Sequence, residues 1–379
     1  MQRLFFLDNL KSFVVNLMIV FHVGLCYIAA PLPWWYVLDS DLRIEMTYWI
    51  LDTDMTIMPI MFFISGYFCV KSLAKGKNFW GPKWQRIGIP WLIGIAFLAP
   101  VASFLMPYSR GLTADFMTHL TEFYFFNPET GGPGVFYNHV PYWYLGVLMV
   151  FYAVAYGISK VWPSFKQLTN ASSPKWWFFL LIGFFTFANC MIVDMITGDE
   201  YLWVPIVYLF VIQPSRILLY VLYFFLGTYA WRHHWFEDGC YVPSAAKWAP
   251  FLLVSAIFLP WTFCHSPQYV SSPLEFLFLI SLSHAMLLTS AVYGLLGIFY
   301  KLFNYTNELL GNLASTSYTM YYCHILFVFL PVLYMLPMSI SPFLKWFIAC
   351  VISWPVTYIV GKLMLRLPLF AASKKAKVQ

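Results

Sequence analysis

The sequence predicts an all-α, polytopic membrane protein of about ten transmembrane helices. Three observations carry that reading. Of 379 residues, 61% are hydrophobic and only 10% are charged, where a soluble domain carries about 25% charged residues. Mean hydropathy is +0.70. Apolar runs of about 20 residues, the length that crosses a ~30 Å hydrocarbon core, recur along the whole chain.

The runs lie near 9–30, 48–70, 87–107, 140–160, 177–196, 212–231, 248–265, 275–300, 311–336 and 343–363. The first is too long for a secretory signal and continues into further spans, so a retained helix is expected. The sixth is interrupted by Pro214 and Arg216, and the preceding stretch 203–212 is apolar too. A re-entrant or broken segment buried in protein is an alternative there. Residues 1–370 read as a single transmembrane domain and 371–379 as a short basic cytoplasmic tail.

Basic residues orient the spans. One set of loops and ends holds Arg3, Lys71, Lys75, Lys77, Lys83, Arg86, Lys160, Lys166, Lys175, Arg232, Lys247, Lys301, Lys362, Arg366, Lys374, Lys375 and Lys377. The opposite loops hold only Arg43, Arg110 and Lys345, with Asp39, Asp41, Glu45, Asp115, Glu122, Glu129, Asp199 and Glu200. The positive-inside rule then puts both termini in the cytoplasm, as an even number of spans requires. The net charge of +6 is spread over span ends, which excludes a nucleic-acid footprint. Seven cysteines without a CxxC pair exclude a zinc or disulfide framework and read as buried apolar thiols.

Polar groups at membrane depth mark the candidate site. His22 lies inside the first span, where an ionisable side chain is a functional-site hypothesis by default. Lys11 precedes it by eleven residues, or three turns plus about 20°, so the two share one helix face. His22 falls in the outer half of the bilayer. Asp52 and Asp54, two turns into the descending second span, fall at a similar depth. Either orients an imidazole N–H or simply starts the span. His324 and His284 fall near the middle, as ligands or as interhelical hydrogen bonds, and Arg216 is a further charge at depth.

Six short motifs in order resemble those of the membrane acyltransferase family called acyltransferase 3, whose members modify envelope carbohydrates. The first is Leu7-Asp8-Asn9-Leu10-Lys11 with His22. The others are Phe62-Phe63-Ile64-Ser65-Gly66-Tyr67-Phe68 with Pro59, Arg86 with Pro90, Tyr142-Trp143-Tyr144-Leu145, Phe225-Leu226-Gly227, and Ser315 to His324. The glucan-succinylating subgroup is the most similar. Lys11 stands where the family has Arg, which keeps the charge and loses the bidentate fork. The soluble hydrolase-like domain of some members is not expected here.

The resemblance implies transfer of an acetyl or succinyl group from acyl-CoA, a co-substrate rather than a permanently bound cofactor, to a carbohydrate hydroxyl. His22 is the expected base, with Asp52 or Asp54 orienting it. Lys71, Lys83 and Arg86 are assigned the coenzyme phosphates, or else positive-inside topology alone. Lys11 and Ser65 are placed along the donor's path, with ordinary packing the alternative for Ser65. Tyr142, Trp143 and His324 are assigned the acceptor glycan, with an interfacial anchor the alternative for the first two. No metal or nucleic acid is expected. The expected location is a bacterial cytoplasmic (inner) membrane, with multiple passes. The rival reading is a transporter or flippase using the same intramembrane charges.

Overall fold

A computed structural model describes residues 3–371 except 31, 33, 77, 128, 129, 199, 200 and 207. The basic tail at 372–379 and the loop charges Lys77, Glu129, Asp199 and Glu200 lie outside the described residues. Ten long helices follow one another: α1 (Phe5–Gly24), α2 (Ile44–Ala74), α3 (Trp80–Ser109), α4 (Trp143–Val161), α5 (Trp176–Thr197), α6 (Pro214–Arg232), α7 (Ala245–His265), α8 (Pro273–Leu302), α9 (Glu308–Met335) and α10 (Pro342–Met364). Among the described residues, nine of them are long and apolar enough to cross a membrane. The exception is α6, whose 19 residues span about 28 Å but include Arg216 and Arg232. It packs against α2 and α5, so its polar residues face protein.

The stretch before α6 is not re-entrant. Strands β1 (Val204–Ile206) and β2 (Phe210–Ile212) form an antiparallel hairpin, with Pro205 opposite Val211. Its tip residue Tyr208 has φ of +57°. The Tyr208 hydroxyl donates to the Phe125 carbonyl at 2.6 Å, and the Tyr137 hydroxyl donates to the carbonyl of Tyr208. Pro214 then opens α6 in the first turn, where a missing N–H costs nothing.

Hydrogen bonds between loops agree with the charge asymmetry. At the basic end, Asn9 donates to the carbonyls of Phe303 (2.7 Å) and Tyr305 (2.9 Å), and Arg232 to that of Ser164 (3.3 Å). Near the carboxyl end, the Phe370 ring meets Tyr322 at 5.0 Å and Tyr318 at 6.0 Å. At the acidic end, Lys345 pairs with Asp39 at 2.7 Å, and Arg110 donates to the Trp35 carbonyl at 2.8 Å. The first and last described residues therefore lie at the basic end, the one that the positive-inside rule assigns to the cytoplasm.

Two glycines fix the central crossing. A Cβ on Gly66 of α2 would lie 1.9 Å from the Phe224 carbonyl oxygen, and one on Gly227 of α6 would lie 2.0 Å from that of Phe63. The two backbones touch, as small residues permit in membrane interfaces. The motifs ending at Gly66 and Gly227 are the two halves of one contact.

Candidate active site

His22 sits in the last turn of α1 and is 6% exposed. Beyond it the chain turns through Leu25–Tyr27 and folds back, with Asp39 N–H donating to the Cys26 carbonyl at 2.9 Å. This return sets Trp35 against the imidazole, ring centroids 5.3 Å apart. On the other side stands His324 of α9, fully buried. His22 Nδ1 lies 2.8 Å from His324 Nε2. The ring planes are within 4° and the centroids 4.9 Å apart. That separation is near the N···N distance plus two ring radii, so the imidazoles meet edge to edge in one plane rather than stacking face to face.

The far side of His324 settles the protons. Its Nδ1 lies 2.7 Å from the Tyr321 carbonyl oxygen, which only accepts. With both rings neutral, Nδ1 of His324 donates, its Nε2 accepts, and Nδ1 of His22 donates. The lone pair of His22 is thereby left on Nε2, which has no hydrogen bond among the described residues, and His22 lines a cavity.

That cavity encloses about 990 Å³, part of it open to solvent. It lies toward the acidic end, under residues of the α1–α2 loop and under Tyr201, Trp203 and Gln213, which flank the β1–β2 hairpin. Trp143 lines it, packed against Trp203 (5.4 Å) and Tyr220 (5.5 Å). Asp54 and Arg216 also line it, paired Oδ2 to Nη1 at 2.6 Å. Gly66 and Gly227 explain that pairing. Asp54 precedes Gly66 by twelve residues and Arg216 precedes Gly227 by eleven, so both lie about three turns above the crossing on parallel helices.

Several expectations change. Neither Asp52 nor Asp54 orients His22; His324 does, because α9 rather than α2 presents a ring nitrogen to Nδ1. Asp52 Oδ1 is buried without a hydrogen-bond partner among the described residues. Tyr142 is fully buried outside the cavity lining. It packs over Gly94, and its hydroxyl donates to the Tyr322 carbonyl at 3.0 Å, so it is neither an anchor at the surface nor a sugar platform. Trp143 faces the cavity, not the membrane interface. His324 contributes through His22 and does not line the cavity; buried His284 does not line it either.

The remaining candidates lie nearer the basic end. Lys83 donates to Ser72 Oγ at 3.1 Å and lies over the Phe79 ring at 4.2 Å. Lys71 lies over Phe68 at 5.9 Å, and Arg86 is exposed. Lys11, partly buried, is one turn from Asp8 on α1. Ser65 is half-buried and shares a 2.8 Å hydrogen bond with the Tyr144 hydroxyl.

Tyrosines join the basic end to the histidine pair. Pro90 in α3 lacks the N–H that would bond the Arg86 carbonyl. The chain widens there into a π-turn over Trp84–Gly88, and the Tyr318 hydroxyl donates to that carbonyl at 2.6 Å. Tyr322 donates to the Pro90 carbonyl at 2.9 Å. Tyr318, Tyr321 and His324 then climb one face of α9 at three-residue steps. Tyr321 meets Tyr144 at 5.8 Å and His324 at 6.1 Å. This ladder was not foreseen from the sequence, although the i, i+3, i+6 spacing of Tyr318, Tyr321 and His324 was its available signal.

No solved structure matches the chain. It is similar to proteins named glucans biosynthesis protein C from Salmonella typhi and Salmonella typhimurium (strain LT2), each 25% identical over an alignment 280 residues long that covers 66% of this chain. The corresponding protein of Salmonella heidelberg (strain SL476) is 24% identical over 279 residues. The chain spans about two thirds (66%) of the length of these relatives. The sequence model of a family described as "Acyltransferase domain" matches residues 4–362. With ten long helices and a histidine at the foot of a cavity, this multi-pass membrane protein belongs to that acyltransferase family.

Proposed function

We propose that the protein transfers an acyl group, acetyl or succinyl, from cytoplasmic acyl-CoA to a hydroxyl of an extracytoplasmic carbohydrate, with His22 as general base. The observation that carries the reading is the His22–His324 hydrogen bond, which leaves a basic lone pair on Nε2 of a cavity-lining residue. The sugar hydroxyl gives its proton to Nε2 as its oxygen bonds to the thioester carbon. The C–S bond of the resulting tetrahedral intermediate then breaks. The coenzyme thiolate leaves and takes the proton from His22.

The donor's polyanionic end suits Lys71, Lys83 and Arg86 at the basic end, where charge-assisted bonds to phosphate are strong. The half-buried Ser65 and the tyrosine ladder provide a polar line for the pantetheine arm through the bilayer. The acceptor enters from the aromatic cavity at the other end. The relatives are named for glucans, and a glucan or similar envelope glycan in the periplasm of a bacterial inner membrane fits as acceptor.

The test is purified protein in vesicles, with glycan sealed inside and impermeant acyl-CoA added outside or inside. Acylated glycan formed from acyl-CoA on the opposite side of the membrane is the expected result. Transfer only when both substrates share one compartment would sink the trans-bilayer reaction.

A further inference from the structure

The Asp54–Arg216 pair has no part in the acyl-transfer step above, yet it stands in the wall of the same cavity. Arg216 is 4% exposed, and its guanidinium also lies over the Tyr201 ring at 5.3 Å. A buried ion pair is no efficient source of stability, since desolvation offsets most of its attraction. Its place between aromatic walls invites a binding role.

Trp34, Trp35, Trp143 and Trp203 line the same cavity. Trp203 meets Trp34 edge to face at 5.8 Å and Trp143 at 5.4 Å, so a corner of indoles is built from the α1–α2 loop, α4 and the residue just before β1. Flat apolar walls match the C–H faces of a pyranose ring. A carboxylate beside a guanidinium matches its rim of hydroxyls, one accepting and the other donating. Charge decides which ring fits. A guanidinium without a counter-charge would draw an anionic group, but this one is neutralised by Asp54 at 2.6 Å. Among the described lining residues, Asp54 and Arg216 are the fixed charges and they sum to zero.

We propose that this corner of the cavity is the acceptor subsite, and that it seats one uncharged pyranose ring whose hydroxyls are read by Asp54 and Arg216. Both ions stay paired while they bind the sugar, so no lone charge is stripped of water. A uronate or phosphorylated ring would bring its negative charge against Asp54 and is rejected. The ring's outward hydroxyl is presented to His22, which lines the same cavity. The inference rests on the reading that the protein acylates a carbohydrate, and it adds the class of sugar and the residues that select it.

The test uses the full chain in detergent, titrated with a neutral β-linked glucotetraose and with a tetramer of glucuronate, read by tryptophan fluorescence. Saturable quenching by the neutral tetramer alone is expected. The double variant Asp54→Asn/Arg216→Gln keeps the shape and removes both charges, and binding should weaken at least about tenfold. If that variant does not fold, Trp203→Leu, at the half-buried position just before β1, should show the same loss. Equal binding of the glucuronate tetramer overturns the proposal, as does unchanged affinity in the folded variants. Acyl transfer on the same preparations separates the two readings. Wild-type protein that binds the tetraose without acylating any glycan counts against the reaction and supports the subsite. Transfer by the double variant at an unchanged acceptor KM overturns the subsite and keeps the reaction.

Discussion

Nδ1 of His22 lies 2.8 Å from Nε2 of His324, and this contact decides which nitrogen of His22 is the base. The carbonyl of Tyr321 holds the proton of His324 on Nδ1, so the only nitrogen His324 offers His22 is an acceptor. A helix that kept His324 but lost its carbonyl contact would leave both tautomers of His22 open. The pair does for His22 what a carboxylate does elsewhere, without bringing a second charge into the membrane.

His22→Ala is expected to remove acyl transfer by about 10²–10⁴-fold, the usual contribution of a positioned base, with an unchanged elution profile in detergent. His324→Ala should lower kcat while leaving KM for both substrates near wild type, because His324 acts through His22. His324→Gln should recover part of that loss, since its amide oxygen accepts from His22 Nδ1. Equal defects in the Ala and Gln variants, or a defect confined to KM, would remove His324 from this positioning role.

The glycine crossing predicts a stability effect with an internal control. A methyl on Gly66 or Gly227 meets a backbone carbonyl at about 2 Å, and backbone cannot rotate aside. Gly66→Ala or Gly227→Ala should destabilise by at least about 1–3 kcal/mol, the usual cost of overpacking. Gly157→Ala on α4, where a Cβ would meet nothing within 4 Å, should not. Thermal unfolding of the three variants in detergent checks this; equal midpoints would mean that α2 and α6 do not cross there.

Much of this was legible in the sequence, and the gaps have physical reasons. Hydropathy finds helices because a span must be apolar along its length, so nine of them read directly. The sixth was ambiguous because α6 is sheathed by α2 and α5, which lets Arg216 stand where lipid would exclude it. Depth put His22 level with Asp52 and Asp54, and of the two acids Asp54 lines the same cavity. It could not supply the partner of His22, because depth orders residues along the membrane normal and says nothing of which helices are neighbours. The same limit misplaced Tyr142, which lies beside Trp143 in sequence but points into α3 instead of the cavity.

The ion pair of Lys345 with Asp39 is sealed from solvent, the two side chains 3% and 0% exposed. It ties the α1–α2 loop, and with it Trp35 over His22, to the start of α10. Lys345→Met would leave the Asp39 carboxylate buried without that partner, at a cost of about 3–5 kcal/mol. Asp39→Asn/Lys345→Met should recover most of it, because neither charge is then stranded. Unfolding midpoints of the single and double variants read the difference. A single variant as stable as wild type would show that the loop is held by other contacts.

Two histidines of the α3–α4 loop make stability depend on pH. Burial pushes His119 and His139 down to about 4. His119 Nε2 lies 3.3 Å from Ser103 Oγ, and His139 Nε2 lies 2.7 Å from the Tyr137 hydroxyl. In the unfolded chain both titrate near 6.5. Above that pH neither state binds the proton, so these groups leave stability unchanged. As pH falls from about 6.5 toward 4, the unfolded chain takes up protons that the folded one refuses, and stability falls. Carboxylates titrate toward the lower end of this window, so the signal is the difference between proteins. The wild-type unfolding midpoint should drop more between pH 7 and 5 than that of His139→Asn, whose amide keeps a polar contact within reach of Tyr137 but takes up no proton. Parallel curves for the two would show that His139 is solvated enough to protonate in the folded protein.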